Sequence, residues 1–202
     1  MYSKKLNLIY IHVPKCAGTA LIEAVRKIDP SATHGHIPLS EYKHIDAGCT
    51  AFTIVRNPWD RAFSCYNYAK MNESFWHRAG SRTQHPDYNL CQKYSFSEVI
   101  EILHAQRTTL SSPAWRRNNF KDNWSYQLDF IDDDRAIKIF KYENFKEVEV
   151  YLGSHSIHLV PLNLSTGRIN YKEFYNDKTR DLIHDIYKRD IEAFGYDYDE
   201  ST

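Results

Sequence analysis

The stretch Leu6-Asn7-Leu8-Ile9-Tyr10-Ile11-His12-Val13-Pro14-Lys15-Cys16-Ala17-Gly18-Thr19-Ala20-Leu21-Ile22-Glu23-Ala24-Val25 decides the fold class. Its first part, Leu6 to Val13, is a near-continuous apolar and β-branched run, the pattern of a strand buried on both faces of a parallel sheet. Pro14 to Gly18 interrupts it. Apolar residues from Thr19 onward then recur at helical spacing until Asp29-Pro30. Strand, tight loop and helix follow one another, and the loop falls where parallel sheets bind ligands, at the carboxyl end of a strand feeding a helix N-terminus.

Further along, Ala51-Phe52-Thr53-Ile54-Val55 repeats the buried-strand pattern and ends at Arg56, after which Asn57-Pro58 predicts a helix start running to about Lys70. Residues 72–94 and 108–123 are polar and irregular, the first read as an excursion forming a lid or part of an acceptor cleft. A helix is expected from Ser97 to about Gln106, a short strand at Ala136 to Phe140, and a helix from Glu143 to Leu152 ended by Gly153. The last helix, Asp177 to Phe194, is closed by Gly195. Alternating buried strands and helices predict an α/β domain of three layers, P-loop-like, with a central mainly parallel sheet. At 202 residues the chain is expected to form a single domain over 1–202.

Formal net charge is zero, so no overall basic field points to nucleic acid and any anion site must be local. Four cysteines, Cys16, Cys49, Cys65 and Cys91, show neither a C-x-x-C pair nor zinc-finger spacing, which favours a reduced, cytoplasmic chain. The apolar run near the N-terminus, broken by His12 and Pro14, is too short to span a bilayer.

The loop has the parts of an anion cradle. Gly18 and the small Ala17 let backbone approach an anion, Lys15 adds a cation, and Thr19 adds a hydroxyl at the helix start. The Walker pattern is absent: the lysine precedes the glycine, and no acidic residue is evidently placed to hold Mg²⁺. A plain strand-to-helix turn is the competing reading of the loop taken alone. Arg56 at a strand end and Ser64 on the following helix supply a second guanidinium-hydroxyl pair, so the chain is expected to hold a nucleotide with two separate anionic groups.

His12 to Thr19 and Val55-Arg56-Asn57-Pro58-Trp59-Asp60-Arg61 through Ser64 resemble, respectively, the 5'-phosphosulfate loop and the 3'-phosphate motif of membrane-type carbohydrate sulfotransferases. Gln127-Leu128-Asp129-Phe130, Lys141-Tyr142-Glu143-Asn144-Phe145 and Ile186 to Tyr196 are similar to further segments of such proteins in the same order, so nearly the whole chain is covered. Lys141 departs from the pattern, in which arginine is more usual. The resemblance implies a sulfuryl donor, 3'-phosphoadenosine 5'-phosphosulfate (PAPS), with product 3',5'-ADP and no required metal. It assigns donor binding to Pro14, Lys15, Cys16, Ala17, Gly18, Thr19, Ala20, Arg56, Ser64 and, in a late loop, Arg168, for which a solvated loop arginine is the rival reading.

His34-Gly35-His36 resembles the His-Gly-His of uronosyl 2-O-sulfotransferases, which implies His36 as the base, with His34 an acceptor contact or the base in its place; a loop histidine without a role and a metal ligand are the alternatives. Lys15, with the loop amides, is the expected catalytic group that neutralises charge during in-line displacement. Arg116 and Arg117, between Trp115 and Trp124, are expected to bind an anionic sugar, with a solvated basic patch as the rival. The expected partner is a carbohydrate acceptor (a polysaccharide or glycolipid), with peripheral contact to lipid-linked glycans and no nucleic acid. Rival functions are a nucleoside or small-molecule kinase and a non-catalytic 3'-phosphonucleotide-binding module.

Overall fold

Leu8, Ile9, Tyr10 and Ile11 are all buried, and they form strand β2 (Leu8–Ile11) at the centre of the expected apolar run. The structure, a computed structural model, describes residues 1–72, 84–109, 122–159 and 169–199. Its sheet has the order β1-β2-β3-β4, where β1 is Tyr2–Ser3, β3 is Thr50–Val55 and β4 is Lys138–Lys141. β2, β3 and β4 run parallel, and β1 alone is antiparallel. This is the mixed α/β architecture with a central mainly parallel sheet that the sequence predicts for a P-loop-like fold. Ile11 is in register with Thr53, and Val55 with Lys141, so the loops leaving β2, β3 and β4 emerge at one edge.

The chain divides into two compact units. The first comprises the described residues of Met1–Asn57 and Tyr126–Ile169 and contains the whole sheet. Helix α1 (Gly18–Ile28) buries Leu21, Ile22, Ala24 and Val25, the face predicted from the spacing. Tyr10, Phe52 and Phe140 on neighbouring strands form a ladder of rings, with centroids 5.0 and 6.2 Å apart, that fixes strand register through cross-strand packing.

The second unit comprises the described residues of Pro58–Ser125 and Asn170–Glu200 and is helical. It contains α2 (Pro58–Ala69), α3 (Tyr88–Lys93) and α4 (Phe96–Thr109). In the first unit α5 (Phe145–Ser154) follows β4, and α6 (Asp177–Phe194) completes the second. Buried Phe63 and Phe96 meet edge-on at 5.5 Å and Tyr66 packs on Phe96 at 5.5 Å, giving this unit its own aromatic core, while Phe63 also stacks at 4.3 Å on the exposed Phe174. Asn176 caps α6 by accepting from the Thr179 amide, and Gly195 ends it in the left-handed region at φ 60°.

Several boundaries differ from expectation. Gly153 lies inside α5, which ends at Ser154 with left-handed Ser156 (φ 58°) beyond it. Tyr2–Ser3 pairs with β2 although its two residues are too few to show a period. The polar stretch after Asn72 contains the short helix α3. Among the described residues no helix is long and apolar enough to cross a membrane.

Candidate functional site

In the first unit β2 ends at Ile11, the chain turns through Pro14 to Ala17, and α1 begins at Gly18. Lys15 and Ala17 both have left-handed backbones, φ 68° and 62°, although neither is glycine. Such residues cost on the order of 1–2 kcal/mol each and persist where surrounding structure holds them, typically at ligand clamps. Ala17 is the N-cap of α1 and supplies no side-chain acceptor, and the first helical turn carries no acidic residue. The positive end of the helix dipole is therefore not neutralised by its own side chains.

Cys16 is buried, and its thiol donates to the Pro14 carbonyl (3.6 Å) and to Gln127 Oε1 (3.5 Å). Its side chain thus braces the loop from inside, while Lys15, Ala17, Thr19 and Ala20 keep partly exposed surface. Gly18 has a reason the sequence did not reveal. A Cβ there would lie 1.9 Å from His12 Nε2, so the histidine ring occupies the space that the missing side chain leaves.

His12 also meets His36, with ring centroids 4.5 Å apart and the rings edge to face. Burial, then the neighbouring His36, holds the His12 imidazole well below the usual histidine range, so it is neutral at pH 7. The backbone around Thr33 pairs with Tyr2: Thr33 N–H donates to the Tyr2 carbonyl at 3.1 Å, and Tyr2 N–H donates to Thr33 Oγ1 at 3.2 Å. That pairing anchors the start of the His34-Gly35-His36 segment. Behind it Asp29 accepts from Ser3 and Ser31, which hold its carboxyl at about 2.

The two histidines of the segment face different neighbours. His34 is exposed and its Nδ1 lies 3.0 Å from Arg26 NH2, which donates to it and so places any imidazole proton on Nε2. Desolvation, then Arg26, lowers the His34 pKa. His36, half-buried, instead stands beside His12 over the start of α1.

Arg56 follows β3 directly. Its guanidinium donates to the Lys15 carbonyl at 3.2 Å and lies 4.4 Å from the centroid of the Tyr142 ring. The Arg56 amide donates to Gln127 Oε1 at 2.9 Å, and Gln127 Nε2 donates to the Arg56 carbonyl at 2.8 Å. The next amide, Asn57 N–H, donates to Glu143 Oε1 at 2.6 Å. The residues around Gln127 and Glu143, which the sequence showed only as similar segments, thus support Arg56. Tyr142, Glu143, Gln127 and His12 escaped the sequence reading as site residues, although each lies within a stretch it quoted.

In the second unit the remainder of the arginine motif is largely structural. Arg61 is 1% exposed and donates to the carbonyls of Ser125 and Asn123, both at 2.9 Å. Trp59 Nε1 donates to the Arg180 carbonyl at 3.0 Å, and Tyr175 Oη donates to the Trp59 carbonyl at 2.8 Å. Ser64, on α2, keeps partial exposure. Arg116, Arg117 and Arg168, with Arg78, Arg82 and Lys121, lie outside the described residues.

Among the described residues no cluster of three or more His, Cys, Asp or Glu is arranged to hold a metal ion. All four cysteines are buried thiols. A family model described as "Sulfotransferase family" matches residues 1–197. No curated protein and no solved structure matches the chain.

Proposed function

Because the chain belongs to the sulfotransferase family, matched over residues 1–197, we propose that it moves a sulfuryl group from PAPS to a hydroxyl of a carbohydrate acceptor. The observation that carries the donor assignment is the loop itself. A strained backbone at Lys15 and Ala17 opens an uncapped helix start, and Arg56 reaches the same loop through the Lys15 carbonyl. Amide donors, an ammonium and a guanidinium at one sheet edge suit a nucleotide carrying anions at both its 5' and 3' ends.

In this reading Lys15, the amides from Cys16 to Ala20 and the Thr19 hydroxyl hold the 5' end. Arg56 binds the 3'-phosphate, with Ser64 and Arg168 assigned there by the motif resemblance alone. The acceptor oxygen attacks sulfur in line, the bond from sulfur to the bridging phosphate oxygen breaks, and 3',5'-ADP leaves. His36 takes the acceptor's proton while Lys15 and the loop amides neutralise charge growing on the departing oxygen.

His36 is favoured over His34 as base by the motif resemblance and by its place beside the neutral His12 ring, next to the loop that leads into α1. His34 is assigned, with Arg116 and Arg117, to the acceptor. The whole of 1–202 acts as one sulfotransferase domain without a metal. Four thiols with no disulfide fit a cytoplasmic setting, and a lipid-linked glycan would be met from the membrane surface.

The test is thermal stability with 3',5'-ADP, 5'-AMP and ATP-Mg²⁺ in parallel. A ligand at about a hundred times its Kd adds about 2.7 kcal/mol of stability, and the reading expects this from 3',5'-ADP ahead of the other two. A response to ATP-Mg²⁺ with none to 3',5'-ADP would point to a kinase and end the proposal. Transfer of labelled sulfate to a glycan panel, with His36→Ala as control, then separates an enzyme from a module that only binds the nucleotide.

A further inference from the structure

We propose that Gln127 is a positioning residue that sets the preference for a 3'-phosphorylated nucleotide, by fixing Arg56 against the Pro14 to Thr19 loop. The inference rests on the reading of Arg56 as the 3'-phosphate contact.

The β3–β4 ladder ends at the pair Val55 and Lys141, one residue before Arg56. Beyond that point the sheet no longer dictates the arginine's backbone. The Gln127 amide replaces the ladder by accepting from Arg56 N–H at 2.9 Å and donating to Arg56 C=O at 2.8 Å, as a paired strand would. Because one partner is a donor and the other an acceptor, the orientation of the amide is determined by its bonds. Its oxygen also accepts from the Cys16 thiol at 3.5 Å, so one side chain touches both the loop after β2 and the turn after β3.

Gln127 is completely buried, and its amide is matched by the two Arg56 backbone groups it pairs. An apolar side chain of similar volume would fill the space but would withdraw that partner from both groups. What the amide adds is direction. With both backbone polar groups of Arg56 pinned, the guanidinium is delivered to the Lys15 carbonyl (3.2 Å) and to the face of Tyr142 (4.4 Å). Phe130, buried in the core a few residues on, anchors the 3-10 turn Leu128–Phe130 that Gln127 leads into.

Calorimetric titration of 3',5'-ADP and of 5'-AMP measures the affinity ratio in wild type, Gln127→Met, Gln127→Asn and Arg56→Ala. Met keeps the volume and loses both bonds; Asn keeps the amide on a stem one methylene shorter and is the milder perturbation. The expected result is a ratio reduced about tenfold in Gln127→Met and by a smaller factor in Gln127→Asn, with 5'-AMP affinity within about twofold of wild type in both. Adding Gln127→Met to Arg56→Ala is expected to leave the ratio where Arg56→Ala alone puts it. An unchanged ratio, or an equal loss for both nucleotides, would show a merely structural glutamine and overturn the inference while leaving the donor assignment standing. A wild-type protein that binds both nucleotides equally would instead remove the reading of Arg56, and this inference with it.

Discussion

The loop after β2 and the turn after β3 leave the same edge of the sheet, yet they are held in opposite ways. The first stores strain in its own backbone at Lys15 and Ala17 and is packed mainly by the near neighbour His12, with one remote bond each to the Cys16 thiol and the Lys15 carbonyl. At the second, neither Arg56 nor Asn57 has positive φ, and the support comes from the sequence-distant Gln127, Tyr142 and Glu143. A loop shaped from within presents backbone donors at fixed positions, as developing charge requires. A turn shaped from outside presents one long side chain, which suits recognition of a charge that does not change during the reaction.

The largest effect that could break this comparison is on catalysis. Lys15→Ala is expected to lower kcat by about 10²–10³, the magnitude typical of losing one donor to transition-state charge, and to weaken 3',5'-ADP by a smaller factor than it slows turnover. Arg56→Ala is expected to weaken 3',5'-ADP about 10- to 100-fold while sparing kcat at saturating donor, since a charge-assisted hydrogen bond contributes about 1.5–3 kcal/mol. Steady-state kinetics alongside calorimetry reads both; equal splits in the two variants would erase the distinction.

A smaller effect concerns how the loop is packed. Gly18→Ala pushes a methyl into the His12 ring and is expected to cost about 1–3 kcal/mol by overpacking, measured as a shift in denaturant midpoint. Combining it with His12→Ala should recover part of that loss, because the clash needs both side chains. Additive losses would mean that the ring is not what excludes a side chain at position 18.

The smallest effect is in pH. His12 has a folded pKa well below its unfolded value of about 6.5, so the folded state binds fewer protons over the interval between them. Its contribution to stability is complete above pH 6.5 and declines as pH falls, by at most about 1.4 kcal/mol per pH unit. Denaturation at pH 7.5, 6.0 and 5.0 should show this slope reduced in His12→Phe, which keeps a ring over Gly18 without a titrating nitrogen. The groups that act on His12, in order, are His36, the N-terminal amine, His34 and Lys15; all are basic, so none offers an acid to stabilise its cation.

The parts legible in the sequence were those with a period or a local motif. β2, β3, α1, α2 and α6 came from apolar spacing together with Asn57-Pro58 and Gly195, and the loop came from its small residues and lysine. The supports were hidden because their partners are remote: Gln127 lies 71 residues from Arg56, and Glu143 lies 86 from Asn57. No window along the chain contains both halves of those contacts. At Gly18 the structure adds a second reason for glycine, since a steric conflict with His12 is a property of the fold and leaves no mark in spacing. In the arginine motif, Arg56 and Arg61 look equivalent as letters. Only burial separates the one that reaches the loop from the one that ties backbone carbonyls together.

The enclosed thiol of Cys16 has a practical side. A maleimide or iodoacetamide cannot reach a sulfur with no exposed surface until the loop opens and parts from Gln127. Alkylation of that cysteine therefore clocks how often the loop comes undone, and the native residue serves as its own reporter without an added dye.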